Sequence, residues 1–254
     1  MNIWDNDTYI SDIGCIINIP IYEYDIRKAN ISILLDEGVI DKHLFDVYAS
    51  LPKIDREINI GLLQRSNPKI SKYLSNGYAN ARKNIIVANN IKDNEIVNIR
   101  KDALFVVRKL NSTDFKNIHF IEKNIYRSYY KLKNLVIFHI NKTFKLVIKG
   151  IDDNVLKYHQ KLLNTITEII ILSEIDIKKA IEKLRDILVD YSTMNLDVDY
   201  YREFNSDSLF KIQHGNVIFV VSDALHASAE LMNLDISYNQ CILEELYQLL
   251  LYQV

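Results

Sequence analysis

The sequence predicts an α+β fold: an antiparallel sheet with packing helices, then a β meander, then a C-terminal helical part. Three observations predict it. Alternating β-branched and aromatic runs at residues 8–26 and 95–108 read as strands. A long run after Pro68 has helical rather than strand periodicity. Strand-rich sequence at 118–149 then gives way to helical patterns from residue 154 onward. The boundary this suggests divides the chain into 1–150 and 151–254, and no internal repeat is present.

The elements follow in order. Residues 8–19 (TYISDIGCIINI) and 21–26 (IYEYDI) read as strands on either side of Pro20. ANISILLDEG reads as a helix with Gly38 at its C-terminal cap, although its first residues also fit a strand. DKHLFDVYASL is a second helix. KISKYLSNGYANARKNIIVANN is a long one, with Pro68 at its start and Ile70, Tyr73, Leu74, Tyr78 and Ala81 at helical spacing. Residues 95–100 and 103–108 form a hairpin that reverses at Lys101–Asp102. IHFIEKNIYRSYYKL, NLVIFHIN and TFKLVIKG read as antiparallel strands. VLKYHQKLLNTITEIIILSEI and DIKKAIEKLRDILVDY read as helices, and two closing helical segments end the chain.

Composition narrows the class. Of the 254 residues, 48% are hydrophobic and 25% charged, as in an ordinary globular protein with ample length for a core. No run approaches the roughly 18 apolar residues of a membrane span, and the N-terminus lacks the basic and apolar segments of a secretory leader. Cys15 and Cys241 read as reduced thiols in a reducing, cytoplasmic setting, and no Cys/His spacing suits zinc. Net charge is −2, but residues 1–149 carry +7 and residues 150–254 carry −9. Residues 58–92 contain no acid, and 115–149 contain Glu122 alone against eight bases. Such asymmetry predicts that the N-terminal part meets an anionic partner.

Nucleotide-binding glycine loops, HExxH and G-x-S-x-G are absent. Two carboxylates remain: Asp25 at a strand end and Asp102 at a hairpin tip. Oxygen ligands on rigid elements are what metal-dependent phosphoryl transfer requires. At these residues the chain resembles the palm and fingers of family B DNA polymerases. YDIRKANISIL resembles their motif A, with Asp25 at the metal-binding Asp, Asn30 at the sugar-screening Tyr and Ser32 at the Ser. KYLSNGYA resembles motif B through Lys72 and Asn76, followed by Gly77 and Tyr78. IRKDALFV resembles motif C, with Asp102 at its second Asp and Arg100 in place of the first.

The resemblance implies a palm-like sheet, a thumb-like helical part and a Mg²⁺-dependent nucleotidyltransferase of viral, bacteriophage type. Asp25 and Asp102 would be catalytic and ligate Mg²⁺. Lys72, Asn76, Tyr78, Arg82 and Lys83 would bind the nucleotide. Tyr126, Arg127, Tyr129, Tyr130, Lys131 and Lys133 would contact nucleic acid, DNA rather than RNA, beside other replication or assembly subunits and away from membranes. Arg100 would repel Mg²⁺ and could serve as counter-ion to Asp25. That substitution leaves open a catalytically inactive, palm-derived nucleic-acid-binding or assembly subunit, or a structural viral protein.

Overall fold

The computed structural model describes residues 2–133, 135–150, 160–193, 195–197, 200, 211–214, 217–220 and 229–254. It is α+β. The chain divides into two compact units, residues 1–12 with 20–126 and residues 13–19 with 127–254. The division falls inside a strand at 126/127 rather than near 150. Strands β2 (Cys15–Ile26) and β6 (Ile118–Leu132) are long enough to contribute residues to both units.

In the first unit the strand order is β1-β3-β4-β2-β6, with β1 at Thr8–Ile10, β3 at Ile96–Arg100 and β4 at Ala103–Val106. A two-residue strand, β5 (Asp114–Phe115), pairs with the start of β6. The registers set Tyr24 opposite Leu104, and Asp25 opposite Ala103. Tyr24, Ile26, Ile99, Leu104 and Val106 belong to one core cluster with helix residues. Burying each such side chain contributes about 1.5–3 kcal/mol.

Four helices cover that core: α1 (Ala29–Asp36), α2 (Lys42–Ser50), α3 (Lys53–Ser66) and α4 (Lys69–Ala88). α2 is capped by Asp41, whose Oδ1 accepts from the Leu44 amide at 2.7 Å. α4 buries Ile70, Leu74, Gly77, Tyr78, Ala81, Arg82, Ile85 and Ile86, a stripe at helical spacing. At Gly77 a Cβ would lie 2.2 Å from Cγ2 of Ile33, so α1 and α4 approach as closely as they do because no side chain stands there. Three expectations change in the first 126 residues. Residues 53–66, unassigned from sequence, are helical. Strand 8–19 is interrupted at residues 11–14, and β2 continues through Pro20 after Asn18 takes a left-handed φ of 59°.

In the second unit the order is β2-β6-β7-β8, with β7 at Leu135–Ile140 and β8 at Leu146–Lys149. Helices α5 (Gln160–Ser173), α6 (Ile177–Ser192) and α7 (Ala229–Leu251) share a core with Tyr130, Leu132, Leu135 and Ile137. β9 (Lys211–His214) pairs with β10 (Val217–Val220), and α7 is the described one of the two closing helical segments expected; residues 221–228 lie outside the described residues. Among the described residues no helix is long and apolar enough to cross a membrane. Both cysteines are free.

Candidate active site

The stretch YDIRKANISIL is strand, turn and helix in succession. β2 ends at Ile26, Lys28 takes a left-handed φ of 52°, and α1 starts at Ala29. Two side-chain bonds hold this reversal. Ser32 Oγ, buried, donates to the Arg27 carbonyl at 2.9 Å. Lys28 Nζ donates to the Ala49 carbonyl at 2.7 Å, placing a cation at the C-terminal end of α2, where the helix dipole favours it. Asp25 is thereby fixed at the last turn of a central strand.

Asp102 sits at the tip of the β3–β4 hairpin. Lys101 takes φ 49°, uncommon for a residue with a Cβ. The turn is bound on both sides: the Lys101 amide donates to the Asp7 carbonyl at 2.7 Å, and Arg82 Nη1 donates to the Lys101 carbonyl at 2.6 Å. Arg82 also donates to the Trp4 carbonyl at 2.8 Å and to Asp7 Oδ1 at 3.2 Å. Its exposure is 1%. Expected at the nucleotide, Arg82 is instead an internal brace. With each of its three nitrogens donating to a protein acceptor and almost no exposed surface, the guanidinium is spent inside the protein, where it holds the turn that presents Asp102.

The two carboxyls meet. The Ile26 amide donates to the Asp102 carbonyl at 3.3 Å, which closes the hairpin tip onto the end of β2. Burial pushes the Asp102 carboxyl up to about 6, with the neighbouring charge of Asp25 as the next cause. As ionised carboxylates both groups only accept, and Asp25 Oδ1 is buried without a hydrogen-bond donor. Either a shared proton or a cation relieves such a pair. The other oxygen, Oδ2, lies 3.0 Å from Lys123 Nζ on β6. Lys123 is thus a cation paired with Asp25, while Arg100 lies opposite Thr8 and Ala103 on the flanking strands. Lys123 also reaches Glu23 Oε1 at 3.6 Å.

Beside the pair opens a cleft of about 460 Å³. Lys28, Lys53, Arg56 and Lys101 bring positive charge to its lining, and Tyr78, Asn30 and Glu57 form a hydrogen-bonded wall. Tyr78 Oη donates to Asn30 Oδ1 at 2.6 Å, and Asn30 Nδ2 donates to Glu57 Oε2 at 2.5 Å. Burial, then the charges of Asp102, Glu57 and Asp25, hold the Tyr78 phenol well above its ordinary range, so it stays a donor. Lys101 Nζ lies 5.5 Å from the centre of the Tyr78 ring.

The sequence-predicted residues therefore divide. Asp25, Asp102 and Tyr78 line one cleft. Lys72, Asn76 and Lys83 are exposed and outside its lining. At 100° per residue they lie roughly 120–160° around α4 from Tyr78. The cations that do line it from α3, Lys53 and Arg56, are missed from sequence because that helix is unassigned. Pro52 directly before Lys53 was the available signal of a helix start.

The aromatic–basic run is also redistributed. Tyr126, Tyr129 and Tyr130 are 1%, 0% and 0% exposed, so their rings are core and not stacking platforms for bases. Tyr126 donates to Glu23 Oε2 at 2.5 Å, Tyr129 packs its ring 5.2 Å from that of Phe138, and the Tyr130 hydroxyl lies 2.8 Å from Ser173 Oγ. Arg127 is committed to Asn18 and Glu174. Lys133 is exposed and Lys131 half-buried. The physical reason is local: Ser128, Tyr129 and Tyr130 are buried in succession, so both faces of β6 are covered there and polar–apolar alternation fails.

For a divalent cation the donor set suits a hard ion. Asp25 and Asp102 offer oxygen only, and among the described residues no group of three or more His, Cys, Asp or Glu converges. A hard cation there would be held by Asp25 and Asp102, with water and substrate oxygens completing its shell.

No curated protein matches the chain. Residues 1–252 match one family along nearly their whole length, and the chain belongs to it: the Bacteriophage PBS1 gene 130 protein family.

Proposed function

We propose that this phage protein carries a palm-like nucleotidyl-transfer centre, a minimal or split Mg²⁺-dependent DNA polymerase subunit. One observation carries the reading. A strand-end Asp and a hairpin-tip Asp share one cleft, with a buried carboxylate oxygen that no donor reaches. Asp25 and Asp102 would hold Mg²⁺, which when bound supplies Lewis-acid charge at the reacting phosphoryl oxygens. Lys53, Arg56, Lys101 and Lys28 offset the charge of a bound polyphosphate. The Tyr78–Asn30–Glu57 wall shapes the side on which a sugar and base would lie. DNA rather than RNA is the expected template, and other replication or assembly subunits are expected partners.

Primer extension in Mg²⁺ or Mn²⁺ tests this. Asp25→Asn and Asp102→Asn should each lower extension by about 10³-fold or more, and Lys53→Glu should weaken nucleotide use about tenfold. Lys83→Glu, on the far side of α4, should change little. A wild-type protein that extends no primer with either metal would defeat the catalytic reading.

One observation favours a second reading, a palm-derived subunit that binds nucleic acid without catalysis. Arg100 stands where motif C has its first carboxylate. This version predicts salt-dependent DNA binding with no extension.

A further inference from the structure

Glu23 has no role in the site so far. It is 6% exposed, two residues before Asp25 and therefore on the same side of β2. Its Oε2 accepts from Tyr126 Oη at 2.5 Å and from Asn124 Nδ2 at 2.6 Å. Burial and the adjacent Glu23 hold the Tyr126 phenol above its ordinary range, so it stays protonated and keeps donating. Two donors thus hold Oε2, while Oε1 faces Lys123 Nζ at 3.6 Å. Lys123 spans both acids, at 3.0 Å from Asp25 and half exposed on the solvent side. Glu23 is not placed to join the carboxyl pair, since no third acid converges there among the described residues.

We infer that Lys123 is a tethered counter-ion of the Asp25–Asp102 pair that yields Asp25 to an incoming divalent cation and is retained by Glu23. This rests on the metal-site reading above. A fixed ammonium 3.0 Å from Oδ2 of a candidate ligand carboxylate repels a cation that approaches the same carboxylate. Without a metal it offsets the repulsion between the two aspartates. A buried carboxylate at 3.6 Å gives the ammonium a second partner that is already desolvated. Lys123 needs only a side-chain rotation to favour it, and no strand has to move. Lys123 and Glu23 are then positioning residues that set how tightly the pair takes a metal.

Mn²⁺ titration followed by electron paramagnetic resonance reads this without any catalytic assay. Lys123→Met should tighten Mn²⁺ binding about tenfold, and Lys123→Arg, which keeps the charge, should stay near wild type. Glu23→Gln should weaken binding about tenfold, because Lys123 then has Asp25 alone. The double variant should return to the Lys123→Met value. If wild type binds Mn²⁺ in a way that Asp25→Asn abolishes, yet Lys123→Met leaves affinity unchanged or weakens it, the counter-ion role is wrong and the metal site stands. If wild type and Lys123→Met bind no Mn²⁺ beyond the Asp25→Asn level, both readings fall. Circular dichroism of each variant separates misfolding from altered affinity.

Discussion

The two units each hold a carboxylate in a polar cluster, and they treat it in opposite ways. In the second unit Glu174 has a side chain 1% exposed, and every oxygen has a partner. Oε1 accepts from Ser128 Oγ at 2.5 Å and lies 2.7 Å from His139 Nδ1; Oε2 pairs with Arg127 Nε at 3.3 Å. The Glu174 carbonyl accepts from Asn18 Nδ2 at 3.0 Å, and His139 Nε2 is taken up by the Thr143 carbonyl at 2.6 Å. The cluster ties β2, β6, β7 and the end of α5 together. In the first unit Asp25 has one oxygen on Lys123 and one with no donor, facing a second acid. A satisfied buried carboxylate is a structural knot; an unsatisfied one beside another carboxyl, at the edge of a cleft, has room for a ligand.

That contrast can be broken by unfolding experiments. The largest effect belongs to Glu174→Ala, expected to cost about 3–5 kcal/mol because it removes a buried charged partner from Arg127, His139 and Ser128 at once. Urea unfolding measures it, and Mn²⁺ affinity should not change. A loss below 1 kcal/mol would mean that the knot contributes little. Arg82→Met should cost about 2–3 kcal/mol through three abandoned acceptors. It should also depress primer extension although Arg82 faces no substrate, since the hairpin turn at Lys101 loses its brace. Full activity in a destabilised Arg82→Met protein would detach Arg82 from the site.

The smallest effect has the clearest pH signature. Folded Asp102 takes its proton at about 6, whereas an unfolded Asp does so near 4, about its ordinary value. Between those values the folded state holds more proton, so wild-type stability falls as pH rises through the window and stays low above it. Asp102→Asn, free of this penalty, should be more stable than wild type by about 1 kcal/mol at pH 7–8, discounted for partial exposure. The gain should vanish below about pH 4. A constant difference across pH 4–8 would show that the two aspartates do not repel.

Much of the first unit is legible in the sequence because its signals are local. The turn after Asp25, Gly38 at the end of α1, Pro68 before α4 and the Lys101–Asp102 reversal all rest on a few neighbouring residues. α3 is hard to read because Ile54, Ile58 and Leu62 are 75%, 56% and 53% exposed, while Arg56 is buried, which inverts the usual stripe. With α3 unassigned, its two cleft cations go unseen. Arg82 and the β6 tyrosines are misplaced for a related reason. A basic or aromatic residue in sequence carries no mark of whether its partners are phosphates and bases or a carbonyl and a core.

Local sequence is enough for the α+β class, the strand–turn–helix around Asp25, the hairpin carrying Asp102 and the charge asymmetry. All of these arise from periodicity, turn chemistry and composition within short windows. The folded chain alone reveals that Asp25 and Asp102 share one cleft, that Lys123 pairs with Asp25, and that Glu23 stands behind that lysine. Those pairings join residues about 75 to 100 positions apart across neighbouring strands. They depend on strand order and register, which many distant contacts set together and which no local pattern encodes.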